Sequence, residues 1–145
     1  MTGLYDSWQR QINYLRISIT DFCNLNCVYC TEGNVPKLAR DEILSYEELR
    51  RLIGVAASMG INKVRLTGGE PLMRPDLTSL VKMISGTPGI DDIALTTNGT
   101  LLSKYAVDLK NAGLTRVNVS LDTLRPDRFK EITGHDSLRQ VLDGI

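Results

Sequence analysis

The chain has 145 residues, 42% of them hydrophobic and 23% charged, which is enough to build a domain around a buried core. Seventeen basic residues against seventeen acidic ones give a formal net charge of zero; no global field favours nucleic acid or an anionic membrane surface, and any anion site must be local. No apolar run approaches the roughly 20 residues of a membrane-spanning helix, and Met1–Asp6 lacks the basic-then-apolar pattern of a secretion signal, so a cytoplasmic location without membrane contact is expected.

The first predicted strand, Asn13–Thr20 (NYLRISIT), places Leu15, Ile17 and Ile19 on one face and Tyr14, Arg16, Ser18 and Thr20 on the other. It runs directly into all three cysteines of the chain, Cys23, Cys27 and Cys30. An odd count fits a secreted disulfide framework poorly, and chance would give this spacing in about one chain in 3,600, so a shared ligand is the better account. Three thiolates in a short loop can each take one iron of a [4Fe–4S] cube and leave the fourth iron open, and an open metal position belongs to catalysis rather than to a closed structural site. The alternatives are zinc completed by the lone His135, or incidental buried thiols. Zinc sites usually show paired spacings, and no second pair exists here.

Ser45 and Glu48 form a capping box before a first helix with Leu49, Leu52, Ile53 and Ala56 on one stripe, closed by Gly60. A second strand, Lys63–Thr67 (KVRLT), is followed by Gly68-Gly69-Glu70-Pro71, where glycines let the backbone approach a ligand closely and the Glu70 carboxylate could lie near a cationic amine. Pro75 suits the start of a second helix with Leu77, Leu80, Val81 and Ile84 inward. A third strand, Ile93–Thr97, leads through Asn98-Gly99, read as a turn, to a helix carrying Leu102, Ala106, Leu109 and Ala112 and closed by Gly113. The fourth strand, Arg116–Asp122, ends at Asp122, read as a helix cap; Pro126 suits the start of a helix over Arg125–His135, and a last helical stretch covers Asp136–Ile145.

Strand and helix therefore alternate through four βα units, which predicts parallel strands joined by right-handed crossovers. Strands covered on both faces read as continuous apolar runs. These strands are polar on alternate positions, so that face is expected to line a wet lumen: an α/β fold of the partial (βα) TIM-like barrel kind. Arg16, Lys63 and Arg65 all fall on the lumen parity and suit a polyphosphate.

The Cys-x3-Cys-x2-Cys loop with Tyr29 before the third cysteine, together with Thr67-Gly68-Gly69-Glu70-Pro71, resembles the signature of the radical SAM enzymes. The segments Tyr14–Asn24, Lys63–Leu72, Thr96–Gly99 and Gly113–Asp122 are further similar to the branch of that family that cyclises GTP in molybdenum cofactor biosynthesis. The resemblance runs from about Asp6 to Ile145 and implies a lyase. Its cofactors would be a [4Fe–4S] cluster held by Cys23, Cys27 and Cys30, and S-adenosyl-L-methionine contacted by Tyr29, Gly69 and Ser120, with Gly68 and Glu70 alongside. Arg16, Arg65 and Thr96 match positions that contact GTP, and Lys63 lies beside them. The implied partners are GTP, an electron donor that reduces the cluster, and cyclic pyranopterin monophosphate synthase downstream.

Members of that branch are considerably longer, with a six-unit partial barrel and a carboxy-terminal domain holding a second cluster. On the resemblance, residues 1–145 are a single amino-terminal portion with four of the six units, expected not to cyclise GTP alone. Its last strand would present an open edge through which a homodimer could form. Thr31-Glu32-Gly33 stands where that branch usually has Met-Pro. The competing readings are a peptide-modifying or activase-type radical SAM enzyme, and a non-catalytic metal-binding module.

Overall fold

The computed structural model describes residues 3–30, 37–39 and 42–145; Thr31-Glu32-Gly33 lies outside them. A short antiparallel ribbon opens the chain, β1 (Leu4–Tyr5) against β2 (Gln11–Ile12). Its turn is closed by Asp6, which accepts the backbone N–H of Trp8 and of Arg10 and pairs with the Arg10 guanidinium at 2.7 Å. This ribbon carries no alternation signal, since two-residue strands are too short to show a period of two.

The body is a four-stranded sheet of β3 (Tyr14–Ser18), β4 (Lys63–Thr67), β5 (Asp92–Thr97) and β6 (Arg116–Val119), all parallel and in chain order β3-β4-β5-β6. Between the strands lie α1 (Tyr46–Ser58), α2 (Leu77–Ser85) and α3 (Leu102–Ala112), and after them α4 (Pro126–Thr133) and α5 (Leu138–Gly144). Neighbouring strands that follow chain order, each stepping over through a helix, make a barrel wall rather than a doubly wound sheet, whose strand order reverses. The predicted ends of β3 and β6 reach further because pairing outlasts the regular ladder: Ile19 N–H donates to the Thr67 carbonyl and Ser120 N–H to that of Thr97.

The face expected beneath the helices carries the core. Val64, Leu66, Ile93 and Leu95 are buried against Leu49, Ile53, Leu80, Val81, Ile84 and Leu109. Val117 departs from that expectation at 40% exposure: β6 is the last strand of the sheet, and the cluster of Phe129, Leu138 and Val141 packs against Val119 and Leu121 instead.

The capping signals are realised with one shift. Ser45 and Glu48 exchange both hydrogen bonds of the box, Pro126 opens α4, and Gly113 ends α3 in the left-handed region at φ 110°. Pro75, in contrast, lies outside α2, which starts at Leu77 after Asp76; its carbonyl accepts the Tyr46 hydroxyl at 2.7 Å.

Candidate functional site

The carboxyl ends of the four strands meet at one mouth, and the loop from Thr20 to Cys30 lies across it. Its entry is fixed by the loop after β4: Gly69 N–H donates to the Thr20 carbonyl at 2.7 Å and Glu70 N–H to that of Phe22 at 2.6 Å. A Cβ at Gly69 would collide with the backbone of Asp21 and Phe22. The backbone that Gly69 approaches here is the chain's own, at the residues immediately before Cys23. The other end of the loop is held by α4, where Asn26 and Val28 donate to the carbonyls of Thr133 and Ile132, each at 2.9 Å. Cys30 N–H closes a turn onto the Cys27 carbonyl at 3.0 Å.

The three cysteines are free thiols, Cys23 and Cys30 exposed and Cys27 half-buried. Burial pushes the Cys27 thiol up, and charge repulsion from Cys23 and Cys30 raises it further. Among the described residues no three His, Cys, Asp or Glu side chains gather tightly enough round one point to hold a single ion. A cube makes a different demand, because each thiolate takes its own iron. Three free thiols on one anchored loop, with a mouth open in front of them, fit that donor set.

Tyr29 is 63% exposed and donates to Asp122 Oδ2 at 2.7 Å, which, with burial, raises the phenol well above its usual range. Asp122, expected to cap a helix, instead ties the cysteine loop to the segment after β6; α4 has Arg125 at its cap position, with no side-chain bond. Ser120 is exposed just beyond β6, at the same mouth as Gly68 and Gly69.

Glu70 is fully buried. Its Oε1 accepts from Leu72 N–H at 2.9 Å and Thr97 Oγ1 at 2.7 Å, and its Oε2 from Asn98 N–H at 2.7 Å. Burial raises its pKa and these three donors pull it back. The expectation of a carboxylate facing a cationic amine gives way to one directed into the scaffold, joining the ends of β4 and β5.

On the lumen face Arg16 is the register neighbour of Arg65, which is in turn the neighbour of Ala94. Lys63 neighbours Tyr14 and Asp92, and Thr96 neighbours Asn118. Arg16 is exposed, while Lys63, Arg65 and Thr96 are half-buried. Arg116 on the same face pairs with Asp92, but among the described residues neither Arg16 nor Arg65 has an ion-pair partner. The Arg65 guanidinium lies 5.5 Å from the Tyr14 ring centre, and its Nε is buried with no acceptor among the described residues. A buried donor without a partner is costly unless a ligand supplies one.

Asn98 was read from sequence only as part of a turn. Its side chain reaches Cys23 Sγ at 3.8 Å, across 75 residues of chain. No sequence pattern announces such a contact, because it arises from two loops meeting at the same mouth.

Fold and site together define a class. The sequence profile of the radical SAM superfamily matches residues 17–145, and the chain belongs to that superfamily, whose enzymes use S-adenosylmethionine. Within it, the chain is 57% identical over 141 residues to the GTP 3′,8-cyclase of Alkaliphilus metalliredigens, covering 97% of this chain and 44% of that protein. It is 57% identical over 143 residues to the GTP 3′,8-cyclase of Pelotomaculum thermopropionicum, covering 98% and 44%. The chain therefore spans less than half the length of these relatives. Among solved structures, Streptococcus suis SuiB bound to S-adenosylmethionine superposes with a TM-score of 0.74 at 24% identity, over 90% of this chain and 30% of that one. The likeness at that identity is one of fold.

Proposed function

We propose that this chain supplies the cofactor mouth and part of the substrate lumen of a GTP 3′,8-cyclase, which converts GTP to 3′,8-cyclo-7,8-dihydro-GTP on the route to the molybdenum cofactor. The observation that carries the reading is the anchored three-cysteine loop standing at the mouth of a sheet whose open face carries two neighbouring arginines without an ion-pair partner among the described residues, one with a buried donor that no described acceptor meets. The similarity to curated GTP 3′,8-cyclases supports the same reading.

In this reading Cys23, Cys27 and Cys30 would hold a [4Fe–4S] cluster, and Tyr29, Gly68, Gly69 and Ser120 would border S-adenosylmethionine. When bound and reduced by an external electron donor, cluster and S-adenosylmethionine together supply a 5′-deoxyadenosyl radical able to take the C3′ hydrogen of GTP. The chain's own part is placement. Arg16 and Arg65 offer forked donors to the triphosphate, Lys63 adds a point charge, and Thr96 a hydroxyl. Tyr29, clamped to Asp122, holds one wall of the mouth, and Glu70 keeps the loops after β4 and β5 in register with the cysteine loop. Free thiols at a mouth suit a reducing compartment, in keeping with a cytoplasmic protein. The product would pass to a pyranopterin-forming synthase.

GTP binding to the anaerobically reconstituted chain, measured by equilibrium dialysis, tests the substrate assignment. Loss of a charge-assisted contact in Arg65→Ala weakens binding about tenfold or more, whereas Arg139→Ala, on the exposed face of α5, leaves it unchanged. Equal affinity in both variants contradicts the lumen as the GTP site.

A further inference from the structure

Asn98, Asn24 and Thr100 form a closed ring of side-chain hydrogen bonds beneath Cys23. Thr100 Oγ1 donates to Asn98 Oδ1 at 2.7 Å, Asn98 Nδ2 donates to Asn24 Oδ1 at 2.9 Å, and Asn24 Nδ2 donates back to Thr100 Oγ1 at 2.9 Å. The orientation of the Asn98 amide is fixed by chemistry. Its oxygen also accepts the Thr100 backbone N–H at 3.0 Å, a group that can only donate, so the amide nitrogen must face the other way. One of its two hydrogens is taken by Asn24; the other points to Cys23 Sγ at 3.8 Å, where Leu25 N–H also donates at 3.4 Å. The Asn98 backbone is itself held by the buried Glu70, through the 2.7 Å bond to Oε2.

We infer that Asn98 is a positioning residue that holds the Cys23 sulfur and sets the reduction potential of the cluster. The inference rests on the cluster reading above. Hydrogen bonds to ligand sulfur stabilise the more negative, reduced state and raise the potential. Cys23 receives two N–H donors, one from its own loop and one from the loop after β5. The second makes the potential sensitive to the seating of a loop that Glu70 links to β4.

The test is a spectroelectrochemical titration of the anaerobically reconstituted chain, wild type against Asn98→Asp and Asn98→Ala, with circular dichroism to verify the fold. Asn98→Asp keeps an acceptor for Thr100 and replaces the nitrogen that donates to Cys23 and to Asn24 with a negative oxygen. Its midpoint is expected to move negative by at least the amount of a tenfold change in the one-electron equilibrium, about 59 mV, with Asn98→Ala shifted in the same direction by less. A folded Asn98→Asp protein that no longer retains iron overturns the inference, because the same nitrogen also donates to Asn24, and losing both bonds then disturbs the cysteine loop rather than the potential. Wild-type midpoints in both variants overturn it, as does an Asn98→Asp protein that fails to fold, which reduces Asn98 to a scaffold residue. A wild-type chain that takes up no iron overturns the cluster reading itself, a result distinct from an unshifted midpoint.

Discussion

Glu70 shows how a short motif can be misjudged when only its chemistry is visible. A carboxylate beside two glycines suggests a ligand for a cation, yet its three donors come from Leu72, Thr97 and Asn98. Removing it in Glu70→Ala leaves those three buried or half-buried donors without an acceptor, and a destabilisation of about 3 kcal/mol is expected in urea unfolding. The pH dependence has a definite sign. Burial raises the folded pKa of Glu70 above its ordinary 4.5, so the folded state holds the proton more tightly than the unfolded chain. Its contribution is therefore fully present below pH 4.5 and is lost as pH rises through the folded value. The difference in unfolding free energy between wild type and Glu70→Gln should shrink across that interval; a difference that grows would reverse the assignment. Asn98 and Asp122 make the complementary point. Both were legible only as local turn or cap residues, because their partners, Cys23 and Tyr29, are 75 and 93 residues away.

Elements, in contrast, were largely legible. Alternation located the four parallel strands, and the Ser45 box and Gly113 marked helix ends that the structure reproduces, because these signals are local. Pro75 misled by two residues, since the chain enters α2 at Leu77 through Asp76 at φ 57°, a left-handed residue that sequence does not announce. The box can be weighed directly: Ser45→Ala removes the acceptor for Glu48 N–H, and about 1 kcal/mol of stability is expected to go with it, read as a lower denaturation midpoint. The loop after β4 carries a stronger constraint. Gly69→Ala sets a methyl against the Asp21–Phe22 backbone, so the cysteine loop must move. That variant is expected to keep its helical and sheet spectrum while losing most of its capacity to retain iron and sulfide; retention at the wild-type level would show that the two loops are not coupled.

At the scale of the whole molecule, a net charge of zero conceals an uneven distribution. Among the described residues Arg16 and Arg65 have no ion-pair partner on the open face of the sheet, while Arg116, one strand further along from Ala94, is neutralised by Asp92. The same strand order that leaves that face open brings every post-strand loop to one mouth, so the cysteines, the Gly68-Gly69 turn, Asn98 and Ser120 converge although they are spread over a hundred residues of chain. The most direct measurement is anaerobic reconstitution with iron and sulfide, followed by iron analysis and absorbance spectra with and without S-adenosylmethionine. The wild type should give a brown species containing four irons per chain, whose spectrum S-adenosylmethionine perturbs, and Cys23→Ala, Cys27→Ala and Cys30→Ala should each remain colourless. A wild type that binds only zinc, or three cysteine variants that retain wild-type iron, would contradict a cluster at this mouth.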